Sequence, residues 1–140
     1  MTDPLRFAAL LPTLWAAHNV GDHLVQTDPQ AVRKARSWRA MAGHIVGYQA
    51  TQAVAVGAVL AATGMRCNRR ALLAGIAFSG ATHAFIDRRW SVRWLLRHTG
   101  SAGFAEMSTP VNGPYQADQA LHHGCLLIVA LLMARKVGPR

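Results

Sequence analysis

The sequence predicts an all-α protein: a four-helix up-and-down bundle that crosses a membrane, with a short interfacial helix between its third and fourth helices. Three observations carry that expectation. The 140 residues are 51% hydrophobic and only 15% charged, against about 25% charged in ordinary soluble domains. Apolar runs of helical length are separated by arginine-rich segments, which hold the mean hydropathy to +0.15. A histidine and an aspartate four residues apart recur three times, as His18/Asp22, His83/Asp87 and Asp118/His122. On a helix that spacing stacks the two side chains on one face. Random placement of 7 His and 5 Asp would give about half such a pair.

The first helix is expected from Leu5 to Gln26, apolar at its start and carrying His18, Asn19, Asp22, His23 and Gln26 toward its end. Its opening resembles a signal peptide. The weak charged region, and an apolar segment that runs straight into the His18/Asp22 pair, read instead as a retained helix. Thr27-Asp28-Pro29 closes it, because proline disfavours helical geometry in the residue before it. A basic connection with Arg33, Lys34, Arg36 and Arg39 follows.

The second helix, Ala40 to Thr63, has no charged residue and is long enough to cross a hydrocarbon core of about 30 Å. Its small residues, Gly43, Gly47 and Gly57 among them, allow close helix packing. After a turn with Arg66, Arg69 and Arg70, the third helix is expected from Ala71 to Ile86. That uncharged run spans only about 24 Å, so a soluble bundle is the competing arrangement. Arg88 to Arg97 places Trp90 and Trp94, and Arg89, Arg93 and Arg97, at four-residue steps, the pattern of an amphipathic helix lying in the interface. Thr99 to Pro114 reads as a loop that ends in Asn112-Gly113-Pro114. The fourth helix runs from Tyr115 to Ala134 and stops at Arg135 and Lys136. The whole is one domain, residues 1–140.

Of the 15 basic residues 13 are arginine, giving a formal charge of +9 and a pI near 11.3. Such a chain suits anionic lipid or nucleic acid. The arginines fall between apolar runs, as juxtamembrane charges do, and no recognition helix, zinc finger or aromatic stripe accompanies them. Membrane lipid is therefore the expected partner, and a nucleic-acid-binding regulator ranks last. Cys67 and Cys125 stand singly and imply neither a zinc finger nor a disulfide framework.

If the helices alternate in direction, the end of the first, the start of the second, the end of the third and the start of the fourth share one layer. His18, Asp22, His44, His83, Asp87, Asp118 and His122 then converge as candidate metal ligands. Buried carboxylates are costly unless paired, neutralised or metal-bound. Nitrogen and oxygen donors without thiolate suit a divalent transition ion, Zn first, with Mn and Fe compatible. Asn19, Gln26 and Gln119 are candidates to orient ligands or water, and Lys34, Arg88 and Arg89 to hold an anionic group. A metal-free His/Asp hydrogen-bond network is the competing reading of the pairs. His44, alone on its helix, reads equally as a ligand and as a hydrogen-bonded packing residue, and His23, His98 and His123 read as interfacial or structural.

The set His18-x2-Gly21-Asp22-x3-Gln26-Thr27, Lys34, His44, His83-x3-Asp87 and Asp118-Gln119-x2-His122 resembles the signature of a family of small bacterial integral-membrane proteins known only as a domain of unknown function. The resemblance runs from about residue 8 to residue 134. It implies residence in the bacterial cytoplasmic membrane and no particular reaction. The His/Asp pattern is also similar in style to inner-membrane proteins labelled metal-dependent hydrolases. Two functions follow as expectations. The first is a membrane-embedded metal-dependent hydrolase of phosphoesters or lipid head groups, with Asp22 or Asp118 as general base. The second is a non-catalytic membrane protein whose layer is structural or relays protons or metal, for which a homo-oligomer is expected.

Overall fold

The computed structural model describes residues 1–136, so the last four residues of the expected domain lie outside the described residues. Seven α-helices are present and no strand among the described residues: α1 (Pro4–Val20), α2 (Asp28–Arg33), α3 (Trp38–Thr63), α4 (Arg69–Asp87), α5 (Trp90–His98), α6 (Ala102–Glu106) and α7 (Gly113–Met133). A single π-turn, Gly21–Val25, extends α1. The long helices α1, α3, α4 and α7 close a ring, α1 packing on α3 and α7, and α4 on α3 and α7. Thr2 bridges to Arg135, so the start of α1 meets the end of α7.

Local chemistry sets the boundaries. Asp3 accepts the Arg6 amide at 3.1 Å and Pro4 fills the first turn of α1, where a missing N–H is harmless. Ser37 caps α3 through the Ala40 amide at 3.3 Å, and Gly64, at φ +66°, ends it in the left-handed conformation. Asn68 caps α4, and Asn112 caps α7 through the Tyr115 amide at 3.0 Å.

Two departures from the expected pattern have simple causes. Pro29, read as a stop signal, lies in the first turn of a new helix, α2, a position proline tolerates; the Gln30 side chain accepts the Thr27 amide at 2.9 Å. The segment between the third and fourth long helices holds two short helices, α5 and α6, in place of one.

The expected set of four membrane-spanning helices is not supported by length and composition. Among the described residues, only α3 is long and apolar enough to cross a membrane. Helix α1 has 17 residues, and α4 and α7 each bury histidine and polar residues along their inner face.

One half of the ring is apolar: Leu10, Leu14, Val56, Leu126, Val129 and Met133 are buried together. There α4 and α7 come so close that a Cβ on Gly75 would stand 2.6 Å from the Met133 side chain. The other half is polar, and Ile86, Val92, Leu96 and Ala105 dock α5 and α6 beside it.

Candidate metal centre

Each long helix sends one buried stripe inward at steps of three or four residues. On α3 it is Met41, His44, Tyr48, Gln52 and Val56, and on α4 Ala71, Gly75, Ser79, His83 and Ile86/Asp87. Because the stripes keep helical register, His18 of α1, His44 of α3, His83 and Asp87 of α4 and His122 of α7 reach the same depth. The π-turn, an insertion common at functional sites, adds Asp22. All six are 3% exposed or less.

His44 Nε2 and His83 Nε2 stand 2.9 Å apart. His44 Nε2 is 3.3 Å from Asp22 Oδ1 and 3.0 Å from Asp87 Oδ2; His83 Nε2 is 3.7 and 3.2 Å from the same oxygens. An imidazole nitrogen carries at most one proton, so these contacts cannot all be hydrogen bonds at once. Around Zn, with ligand bonds of about 2.0–2.1 Å, tetrahedral donors are separated by about 3.3–3.4 Å, within the range found here.

Donor atoms of Asp22, His83, Asp87 and His122 lie within 4.8 Å of one another, as do those of His18, His83 and His122. The group could hold a metal ion, and His83 and His122 belong to both sets. His122 Nε2 is 3.7 Å from Asp87 Oδ1 and 3.6 Å from Asp118 Oδ2, with no hydrogen-bond partner among the described residues. Asp87 Oδ2 has ionic neighbours but no well-directed hydrogen bond. An orphaned imidazole nitrogen and a carboxylate oxygen with free lone pairs are the donors a cation needs.

Lys34, at the end of α2, is buried with its ammonium 2.8 Å from Asp22 Oδ1, 3.0 Å from Asp87 Oδ2 and 3.2 Å from His44 Nε2. It faces carboxylates, not a free anion. Arg88 stacks on the Trp38 ring, its guanidinium carbon 4.4 Å from the centroid. Arg89 lines a cavity of about 360 Å³ whose inner wall includes Asp22, Lys34, Asp87 and Asp118. The Asp118 side chain is 16% exposed, against 3–4% for Asp87 and Asp22.

Of the three residues expected to orient ligands, Gln119 does touch them. Its amide nitrogen donates toward Asp22 Oδ2 at 3.4 Å and Asp118 Oδ2 at 3.3 Å. That orientation turns its oxygen to His18 Nε2 at 3.1 Å, which therefore donates and leaves His18 Nδ1 to accept from the Tyr48 hydroxyl at 3.4 Å. Gln26 donates to the Asp22 carbonyl, and Asn19 folds back on the Trp15 carbonyl at 2.8 Å.

The chain of donors continues inward beyond the residues singled out in the sequence. Gln52 Nε2 donates to the Tyr48 hydroxyl at 2.6 Å, and the Ser79 hydroxyl donates to Gln52 Oε1 at 3.0 Å. Tyr48 also stacks on His83, with centroids 3.7 Å apart. The signal for these residues is positional: Tyr48 and Gln52 follow His44, and Ser79 precedes His83, at four-residue steps.

Fold and site together define a small helical protein with a buried His/Asp centre. The family model described as protein of unknown function (DUF3307) matches residues 10–138, and the chain belongs to that family. No curated protein and no solved structure matches it.

Proposed function

We propose that the protein is a membrane-embedded His/Asp metal-binding protein that acts as a metal-dependent hydrolase of phosphoesters or lipid head groups. The observation that carries this reading is the convergence of Asp22, His83, Asp87 and His122, whose donor atoms lie within 4.8 Å of one another. His44 Nε2 stands beside them, in contact with His83, Asp87 and Lys34.

Membrane residence is supported by the surface of α3, which exposes Val46 at 69% and Val54 at 73%. A long apolar helix with its apolar side outward needs lipid or a partner against it. Trp38, Trp90 and Trp94 are more than half exposed near the polar end, where aromatic residues favour the membrane interface.

A divalent ion held at the centre would acidify a water and polarise a phosphoryl oxygen. Asp118 is the general base: it lines the cavity and keeps some exposure. Gln119 holds one of its oxygens. Hydrolysis joins the water oxygen to phosphorus and breaks the ester P–O bond. Asp118 takes the proton from the water and returns it to the departing alkoxide, so the products are the alcohol and the phosphate. Asp22, tied to Lys34 and His44, serves as ligand.

The test is a screen of phosphomonoesters, phosphodiesters and phospholipids with detergent-purified protein, metal-loaded and chelated. The expected outcome is metal-dependent turnover that falls about 100-fold in Asp118→Asn with metal content retained. Turnover that survives chelation, or none on any phosphoester, contradicts the hydrolase reading.

One observation favours a second reading. The Lys34 ammonium already pairs with both buried carboxylates, the role a metal would fill. On that reading the layer is a non-catalytic network that is structural or relays protons or metal.

A further inference from the structure

We propose that Arg89 and Arg93 form a phosphoryl-binding subsite in the outer wall of the cavity above the His/Asp centre. Both residues line that cavity together with Asp87 and Asp118. Arg89 is the cap of α5 and Arg93 lies one turn into it, its amide bonding the Arg89 carbonyl at 3.1 Å.

The basic residues near the site have different partners. Lys34 is bound to Asp22 and Asp87, Arg88 is stacked on Trp38, and Arg97 is paired with Glu106 at 2.6 Å. The Arg97 hydrogen bond holds the Glu106 carboxyl below its ordinary value. Arg89 reaches only the Ala31 carbonyl, at 3.5 Å. Neither it nor Arg93 has a carboxylate within ion-pairing distance among the described residues; Glu106 lines the same cavity, bonded to Arg97, and feels the Arg93 charge from farther off. Arg89 also holds φ +62°, a conformation uncommon and unfavourable for a non-glycine residue. The fold keeps it where the chain turns from α4 into α5.

The chemistry of the wall selects the ligand class. Each guanidinium presents a planar fork of donors that takes two oxygens. A carboxylate has only two oxygens, too few to satisfy two forks and also face the ligand cluster. A phosphoryl group has three or more, and a cavity of about 360 Å³ is of the size that holds a head group. Trp90 and Trp94, next to the two arginines, are 58% and 57% exposed. Exposed indoles favour the membrane interface, so a lipid phosphate is one source of the anion. The subsite deepens the hydrolase reading by naming its substrate anion, and rests on that reading for the role of the remaining oxygen.

Binding to the full-length protein would be measured by calorimetry with inorganic phosphate. In nanodiscs, phosphatidic acid would be compared with diacylglycerol. Each titration is run with EDTA and with Zn. The expected result is saturable binding that weakens about tenfold or more in Arg89→Gln and in Arg93→Gln, less in Arg93→Lys, and within about twofold in Arg97→Gln. Circular dichroism checks that each variant is folded. Preference for phosphatidic acid identifies a lipid source, and equal binding of inorganic phosphate a soluble one; both support the subsite. Arginine-dependent binding that is the same in EDTA and Zn, with no Zn bound, supports the subsite and removes the metal reading. No binding of either probe, unchanged binding in Arg89→Gln/Arg93→Gln, or an equal loss in Arg97→Gln overturns the subsite. The last result would mean general charge attraction. Zn binding without phosphate binding overturns the subsite alone.

Discussion

The two halves of the helical ring are built from the same four helices and the same helical spacing, yet they bury opposite kinds of side chain. In one, Leu10, Leu14, Val56, Leu126 and Val129 pack against each other with no polar atom to satisfy. In the other, the same stripes carry His18, His44, His83, Asp87 and His122. The first half gains free energy from each contact. The second must offset the desolvation of carboxylates and imidazoles, and does so only while a cation stands among them. The comparison teaches that the apolar half holds the ring together, while the polar half costs free energy unless a cation, Lys34 or a metal ion, stands between its carboxylates.

The sharpest way to break this division is at Lys34. In Lys34→Met the two carboxylates lose their ammonium partner, and the metal-free protein is expected to lose about 3–5 kcal/mol of stability. A divalent ion can take over the same oxygens, so Zn is expected to restore most of that loss in thermal unfolding. A variant that stays destabilised in saturating Zn would speak for Lys34 as the permanent counter-ion and for the metal-free network.

Leu14→Ala cuts the other half. Leu14 is fully buried, and its truncation is expected to cost about 2–5 kcal/mol in denaturant unfolding. Metal bound per folded molecule should be unchanged. If metal binding falls together with stability, the two halves are not separable in the way proposed. Tyr48→Phe is the smallest change. It removes the hydroxyl between Gln52 and His18, with an expected cost of about 1–2 kcal/mol and metal content retained. Loss of metal in this variant would make the hydroxyl part of the ligand set's support.

Much of this was legible in the sequence because helical periodicity is a long-range signal. The second helix, expected over residues 40–63, forms over Trp38–Thr63, and the third, expected over 71–86, over Arg69–Asp87. The His/Asp pairs announced a common face by their spacing. The short helices α2 and α6, of six and five residues, are too brief for periodicity to register. Tyr48, Gln52 and Ser79 were overlooked because single uncharged polar residues within apolar runs read as packing. Lys34 was read as a candidate to hold an anionic group because its connection is basic throughout; only the fold shows that α2 turns it inward onto Asp22 and Asp87. Arg93 lay in a repeating Arg pattern, and its difference from Arg97 depends on Glu106, which is nearby in space rather than in spacing.

The central claim is that the polar half holds a metal ion. The most direct measurement is metal content by mass spectrometry on detergent-purified protein, beside the double variant His83→Ala/Asp87→Ala. Near-stoichiometric metal in the parent, and background levels in a double variant that keeps its helical circular dichroism, is the predicted result. A parent that takes up no metal even after reconstitution with Zn, Mn and Fe would contradict the account and leave the layer as a network closed by Lys34.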